Sequence, residues 1–228
     1  PEVQHLKDGG WKKYDKLVFV SHWQQEMYNL FLGVPYSAGI VLRNGIEPIE
    51  AHTKPDPKSK ISITYFSTPH RGLDILFAAF NQLSQEYKNI ELNVFSSFLL
   101  YGWPQRDEPF KDLFEQLRNH KNVNYYKSVS NDAIREQLKK SHIFAYPSTW
   151  KETSCLCLME AMSAGLLSVH SSLAALPETS MGLTNMYGYV EDPQQHANQF
   201  YFELKNAIEL HRNPNAYTML RKQLDGTK

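Results

Sequence analysis

Two carboxylates, Glu152 and Glu160, stand in the segment YPSTWKETSCLCLMEAMSAG (146–165). A carboxylate accepts several hydrogen bonds, which suits the vicinal hydroxyls of a sugar or a ribose. Read as helix, the eight-residue step between them rises ~12 Å, comparable to the span from ribose to hexose in a nucleotide sugar. One acid can then bind ribose hydroxyls and the other sugar hydroxyls. Between them, the expected helix start at Thr153, Ser154 and Cys155, with Leu156 next, offers free N–H groups and a positive dipole end to a diphosphate. The competing explanation is two solvated glutamates, since Glu is common on helix surfaces. Glu160 argues against it. It lies in the apolar stretch Leu158-Met159-Glu160-Ala161-Met162, where an unpaired carboxylate costs free energy.

The loop Ser67-Thr68-Pro69-His70-Arg71-Gly72 is the next candidate. Arg71 can neutralise a diphosphate and grip it bidentately. His70 or a backbone nest at Ser67 and Thr68 can add to that grip. The alternative is a polar turn with a surface arginine. A third loop, Lys127-Ser128-Val129-Ser130-Asn131, suits a ligand but is also explained as a helix N-cap, and the two readings are compatible.

Other chemistries find no support. The two cysteines, Cys155 and Cys157, lack the second ligand pair of a structural zinc site. They read as reduced thiols packed in a core, which fits a reducing cytoplasm. The nine histidines include no H-x-x-x-H pair. His5, His22, His52, His120 and His196 read as surface or packing residues. No hydrolytic triad is visible, and no metal or other cofactor is expected.

The elements that must position these loops alternate. Strands are expected at 16–20, 40–42, 61–66, 92–96, 123–126, 143–146 and 166–170. Helices are expected at 22–32, 73–87, 109–118, 132–140, 154–164 and 193–211, with Gly33 and Gly165 closing two of them. Residues 47–60 hold three prolines and read as a linker. Such alternation builds βαβ units, hence an α/β fold: a Rossmann-like parallel sheet with helices on both faces. Continuously apolar strands fit a sheet covered on both sides. Ligands of such sheets sit beyond the carboxyl ends of the strands, which selects the loops after Phe66, Tyr126 and Tyr146.

Composition sets bounds. Hydrophobic residues make up 42% and charged residues 21%, enough for a buried core. Lys plus Arg equals Asp plus Glu at 24 each, which argues against nucleic acid as a partner. No apolar run reaches the ~20 residues of a membrane-spanning helix, and no signal peptide is visible. Pro1 fits a fragment or a trimmed chain.

The segment 146–165 resembles the E-x7-E motif of retaining GT-B glycosyltransferases of family 4, the group 1 glycosyl transferases. Glu152 matches the first acid and Glu160 the second. Tyr146-Pro147-Ser148, Glu160-Ala161-Met162, Ala164-Gly165 and Leu176-Pro177-Glu178 match the flanks. Ser21 and Asn44-Gly45-Ile46-Glu47 resemble the family's passage between its two domains.

The likeness implies the C-terminal, donor-binding half of a GT-B fold (61–212), preceded by the tail of an acceptor domain (1–46) and a linker (47–60). A C-terminal helix or tail (213–228) follows. It also implies transfer of a sugar from a UDP-, GDP- or ADP-linked donor, with retention, to a glycan, lipid or other acceptor. Glu160 would hold the ribose, Glu152 would orient the sugar, and Arg71 would stabilise the departing diphosphate. Ser67, Thr68, Gly72, Ser128, Val129, Thr153, Ser154, Cys155 and Leu156 would complete the donor site.

Two departures stand out. Arg71-Gly72 replaces the family's Lys-Gly, and Phe66 stands where an earlier arginine is usual. Ser128 stands where glycine is common. These residues alone are expected to bind donor with little or no transfer, because the acceptor side lies largely on the other domain. The strand at 16–20 is then expected to dock elsewhere, pair with another chain, or fray. The expected location is cytoplasmic, compatible with peripheral contact of the full-length enzyme with the inner face of a membrane. The competing functions are a non-catalytic nucleotide-sugar-binding module and a nucleotide-sugar epimerase of GT-B-like fold.

Overall fold

A computed structural model of the chain describes residues 3–226. Positions 1, 2, 227 and 228 of the expected first and last segments lie outside the described residues.

The N-terminal part holds β1 (Leu17–Phe19), α1 (His22–Leu32) and β2 (Gly39–Val41). The strand expected to dock elsewhere, pair with another chain or fray pairs in parallel with β2 of the same chain, Leu17 opposite Gly39 and Phe19 opposite Val41. Leu6, Phe19, Leu32 and Val34 form a small core of their own beneath it. Ser21 starts α1 by accepting from the Gln24 N–H at 3.0 Å. Gly33, with φ 66°, ends it. Asn29 and Tyr28 carbonyls then take the Gly33 and Val34 N–H groups.

The remainder runs β3 (Ile61–Phe66), α2 (Leu73–Glu86), β4 (Ile90–Phe95), α3 (Lys111–Asn119), β5 (Val123–Lys127), α4 (Asn131–Lys140), β6 (Ile143–Tyr146), α5 (Leu156–Ser163), β7 (Leu167–Ser171), α6 (Leu176–Ser180), β8 (Asn185–Tyr187), α7 (Pro193–Arg212) and α8 (Pro214–Gly226). Six of these strands form one parallel sheet in the order β5-β4-β3-β6-β7-β8. Every residue of β3, β6 and β7 is buried, as expected for strands covered on both faces. The edge strand β5, VNYYK, buries only Val123. One large core spans the sheet and its helices, from Ile61 and Phe80 through Phe144 to Phe200. Each large apolar side chain so buried contributes about 1.5–3 kcal/mol.

The strand order explains where a ligand can sit. The chain winds outward from β3 to β4 and β5, then returns to place β6 on the other side of β3. Loops from β3 and β6 therefore part in opposite directions and leave a crevice at the carboxyl edge.

Several expected elements differ in detail. Residues 104–110 form a 3-10 turn, so the helix expected from Pro109 begins at Lys111. Strand β8 and the five-residue helix α6 lie outside the expected elements, because segments this short carry almost no periodicity. Gly165 (φ 68°) closes α5. Its N–H bonds to the Met162 carbonyl, and the Leu166 N–H to that of Ala161.

Glu178 on α6 joins the two parts. Its carboxylate accepts from the His22 and Trp23 N–H groups at the start of α1, each at 3.1 Å, and pairs with Arg43 at 3.1 Å. Burial alone would raise its pKa, but these three donors outweigh burial and hold the carboxyl below its usual range.

Gly72 shows how tightly the central loops meet. Its φ is 88°, and a Cβ there would overlap the carbonyl oxygen of Pro147 on the neighbouring loop. Gly72→Ala is expected to destabilise the fold by more than ~2 kcal/mol, since left-handed strain adds to a backbone overlap. A denaturation midpoint equal to that of the parent would contradict this.

Candidate functional site

A cleft of about 750 Å³ opens at the carboxyl edge of the sheet. Its lining includes Ser67, Thr68 and Arg71 from the β3–α2 loop, and Ser128 and Val129 from the β5–α4 loop. Glu152, Thr153, Ser154, Cys155, Leu156 and Glu160 line it from the β6–α5 passage. Loops from three strands far apart in sequence thus meet in one concavity.

Gly72 and His70 stand outside it. Gly72 packs behind the wall against Pro147. The His70 ring is stacked on Phe98 (5.1 Å) and edge-on to Trp150 (4.9 Å), and it does not line the cleft. Burial, with Arg71 and Arg106 nearby, lowers its pKa.

Arg71 and Glu152 face each other directly: Arg71 Nη1 lies 3.0 Å from Glu152 Oε1. The Tyr146 hydroxyl donates to the same oxygen at 2.5 Å. Burial raises the pKa of Tyr146 well above its ordinary value, so it stays a neutral donor. Arg71 also donates to Ser67 Oγ at 3.4 Å. Its Nε is buried with no partner among the described residues, as is Thr68 Oγ1. The Tyr65 hydroxyl holds this loop by donating to the Thr68 carbonyl at 2.8 Å.

The helical spacing expected between the two acids does not hold. Helix α5 begins at Leu156, and its N-cap Cys155 is extended (φ −93°, ψ 94°). Glu152 therefore lies in the preceding loop, pinned where the Ala175 N–H donates to its carbonyl at 3.1 Å. The loop conformation is what lets its carboxylate reach Arg71 and Tyr146. The free N–H groups of the helix start belong to Leu156 and its successors rather than to residues 153–155.

Glu160 is buried, 8% exposed, and its charge is met. Asn131 Nδ2 donates to Oε1 at 3.1 Å, and Arg135 Nη1 lies 3.5 Å from the same atom. The cost of an unpaired carboxylate in an apolar stretch is thereby removed.

Cys155 and Cys157 are free thiols. Burial pushes the Cys157 thiol up to about 12 and raises Cys155 as well. Cys157 donates to the Phe66 carbonyl at 3.0 Å, tying α5 to β3.

The sequence reading missed Arg135, which lines the cleft wall; Lys127 and Asn131 fell in its third candidate loop but were not named as donor residues, and both line the cleft too. Tyr101, and Gly45, Ile46 and Glu47 of the passage likened to the family's, were not expected in the cleft and line it as well. Asn131 and Arg135 were detectable in principle, since an i, i+4 spacing puts both on one face of α4. Lys127 is left-handed (φ 58°), one residue before Ser128, which stands where glycine is common in the family. Among the described residues no group of three His, Cys, Asp or Glu side chains is arranged to hold a metal ion. No described helix is long and apolar enough to cross a membrane.

An open parallel sheet in this order, with a polar cleft at its switch point, gives a Rossmann-like domain of the kind found in GT-B folds. The family profile described as Glycosyl transferases group 1 matches residues 47–216, and the chain belongs to that family.

Among curated proteins the chain is similar to one of the subunits of phosphatidylinositol N-acetylglucosaminyltransferase from Homo sapiens, 25% identical over 143 residues. That match covers 60% of this chain and 28% of the human protein. Among solved structures it is similar to a glycosyltransferase from Rickettsia africae ESF-5, with a TM-score of 0.72 and 13% identity. The match covers 99% of this chain and 62% of that one. A third likeness is to Anabaena HepE, solved in complex with UDP-glucose (TM-score 0.59, 17% identity, 93% of this chain and 63% of that one). The chain therefore spans less than two thirds of the length of these relatives.

Proposed function

We propose that this chain is the donor-binding part of an enzyme that transfers a sugar from a nucleotide-sugar donor to a glycan, lipid or other acceptor, with retention at the anomeric carbon. The observation that carries the reading is one cleft lined both by Glu160 and by the Arg71–Glu152 pair. Glu160 would take the ribose hydroxyls. Arg71 and the N–H groups opening α5 would take the diphosphate, and Glu152 would orient the sugar. Backbone at Ser128 and Val129 would border the base.

In the transfer, the bond between the anomeric carbon and the diphosphate oxygen breaks, and a bond to the acceptor oxygen forms on the same face. The acceptor's proton passes to the departing diphosphate, so no protein nucleophile is needed. Charge building on that diphosphate is the main electrostatic demand, and a fixed guanidinium meets it. The scheme requires no metal, because Arg71 supplies the counter-charge. Membership of a glycosyl transferase family and the likeness to a UDP-glucose-binding structure support this reading. A cytoplasmic setting, with peripheral contact between the full-length enzyme and a membrane, accompanies it.

Calorimetry with UDP, GDP, ADP and their sugars tests the donor assignment. Glu160→Ala is expected to weaken the responding nucleotide by roughly 10- to 100-fold, the cost of one or two charge-assisted hydrogen bonds. Parent-like affinity in that variant would remove Glu160 from the ribose. Silence of the parent toward every nucleotide would remove the donor site itself.

A further inference from the structure

Arg135 lies between two things that the sequence separates widely. Its Nη1 donates to the Glu47 carbonyl at 3.0 Å, and its Nη2 to the Pro48 carbonyl at 3.1 Å. The same Nη1 lies 3.5 Å from Glu160 Oε1. Asn131, one turn earlier on α4, donates to that oxygen too. Both contacts thus load Oε1, and among the described residues no hydrogen bond engages Oε2. The carboxylate is held by one oxygen while the other is left for a ligand.

The segment at 47–48 is also tied to α5, the helix that carries Glu160: the Ile49 N–H donates to Ser163 Oγ at 2.8 Å. Gly45, Ile46 and Glu47 line the cleft beside it. A planar guanidinium that spans two consecutive carbonyls keeps both bonds only while that stretch stays in place. Displacing residues 47–48 would release Arg135, and with it the setting of Glu160.

We infer that Arg135 is a positioning residue that presents Glu160 to the donor's ribose and couples nucleotide binding to the placement of residues 47–49, through which residues 3–46 join the sheet. This rests on Glu160 being the ribose ligand. The coupling is reciprocal: bound nucleotide tightens the segment, and a loosened segment weakens nucleotide. Arg135 itself need not touch the donor.

The test uses the full chain, with UDP, GDP and ADP as probes. Affinity is measured by calorimetry, and hydrogen exchange at the Ile49 amide is followed with and without the responding nucleotide. In the parent, nucleotide is expected to slow exchange at Ile49. Arg135→Ala is expected to bind about 10-fold more weakly or worse, and nucleotide should no longer protect Ile49. Arg135→Lys can still face Glu160 but cannot span both carbonyls. It should recover much of the affinity without the protection, and it serves if the alanine variant fails to fold.

Parent-like affinity and protection in the folded Arg135 variants, with affinity lost in Glu160→Ala, would overturn the coupling and leave the ribose assignment standing. Unchanged affinity in Glu160→Ala, or no response from the parent, would overturn both.

Discussion

Arg71→Met is expected to lower transfer by the full-length enzyme about 10²- to 10³-fold, the usual cost of removing one preorganised donor aimed at developing negative charge. The loss should fall mainly on kcat, because the charge on the leaving diphosphate grows in the transition state. A second consequence follows from the 3.0 Å pair with Glu152, whose side chain is 8% exposed. Removing the guanidinium leaves a buried carboxylate without its counter-charge, a change that costs about 3–5 kcal/mol of stability in comparable pairs.

The two effects separate in a double-mutant cycle. Glu152→Gln keeps an acceptor for the Tyr146 hydroxyl and removes the charge. Arg71→Met/Glu152→Gln should therefore be more stable than Arg71→Met alone, yet equally inactive. Arg71→Lys should keep the charge and part of the rate while losing the two-pronged grip. Full activity in Arg71→Met would remove the guanidinium from the reaction. A double variant no more stable than the single one would remove the energetic link between the two side chains.

Acid is expected to destabilise the fold well before its carboxylates titrate. His170 is fully buried. Its Nδ1–H donates to the Ser171 carbonyl at 2.8 Å, and its Nε2 accepts from the Thr184 hydroxyl at 2.7 Å. His211 donates Nδ1–H to the Ala207 carbonyl at 2.7 Å. Burial brings both down from 6.5 to about 4. His142 and His196 are lowered by burial as well. His142 accepts the Ser62 N–H on one nitrogen and donates to the Pro55 carbonyl from the other, which fixes it neutral.

These groups are neutral in the folded chain and take up protons more readily when unfolded. For His170 and His211 the contribution is therefore complete above pH 6.5 and is lost as pH falls toward 4. Each full shift corresponds to about 3 kcal/mol, large against a total stability of about 5–15 kcal/mol. Glu178, held below its ordinary 4.5, adds its loss only lower down. Denaturant unfolding followed from pH ~7.5 to ~5 isolates the histidine part. A flat profile over that interval, or an undiminished slope in His170→Gln and His211→Gln, would rule this origin out.

The sheet was legible because its strands and helices carry strong, short-range signals. ISITYF and IFAY are apolar enough to mark buried parallel strands, and Leu76, Phe77, Phe80 and Leu83 mark the stripe of α2. Gly33 and Gly165 announced two helix ends by the one backbone shape that favours glycine. The buried acid Glu160 was visible as a charge set among Leu158, Met159, Ala161 and Met162. That Asn131 and Arg135 share a face of α4 could be read from their spacing, but not that this face meets Glu160, because they lie on another helix.

The helical rise expected between Glu152 and Glu160, and the helix start expected at residues 153–155, failed for a related reason. Residues 152–155 have no strong local preference, and contacts with Arg71, Tyr146 and Ala175 decided their course. Lys127 shows the same limit. Its left-handed backbone falls one position before Ser128, where the family commonly carries glycine, beside an irregularity in the β4–β5 register.

The amino-acid order by itself thus determined most of the element types, the parallel sheet and the three loops that meet at the cleft. Hydrophobic periodicity, glycine and proline act over a few residues and need no partner. Tertiary structure alone decided which charges meet: Arg71 with Glu152, Arg135 with Glu160 and with the carbonyls at 47–48, and Glu178 with the start of α1. Ion pairs and backbone caps across such separations depend on where the winding of the sheet brings distant loops, and no local preference encodes that.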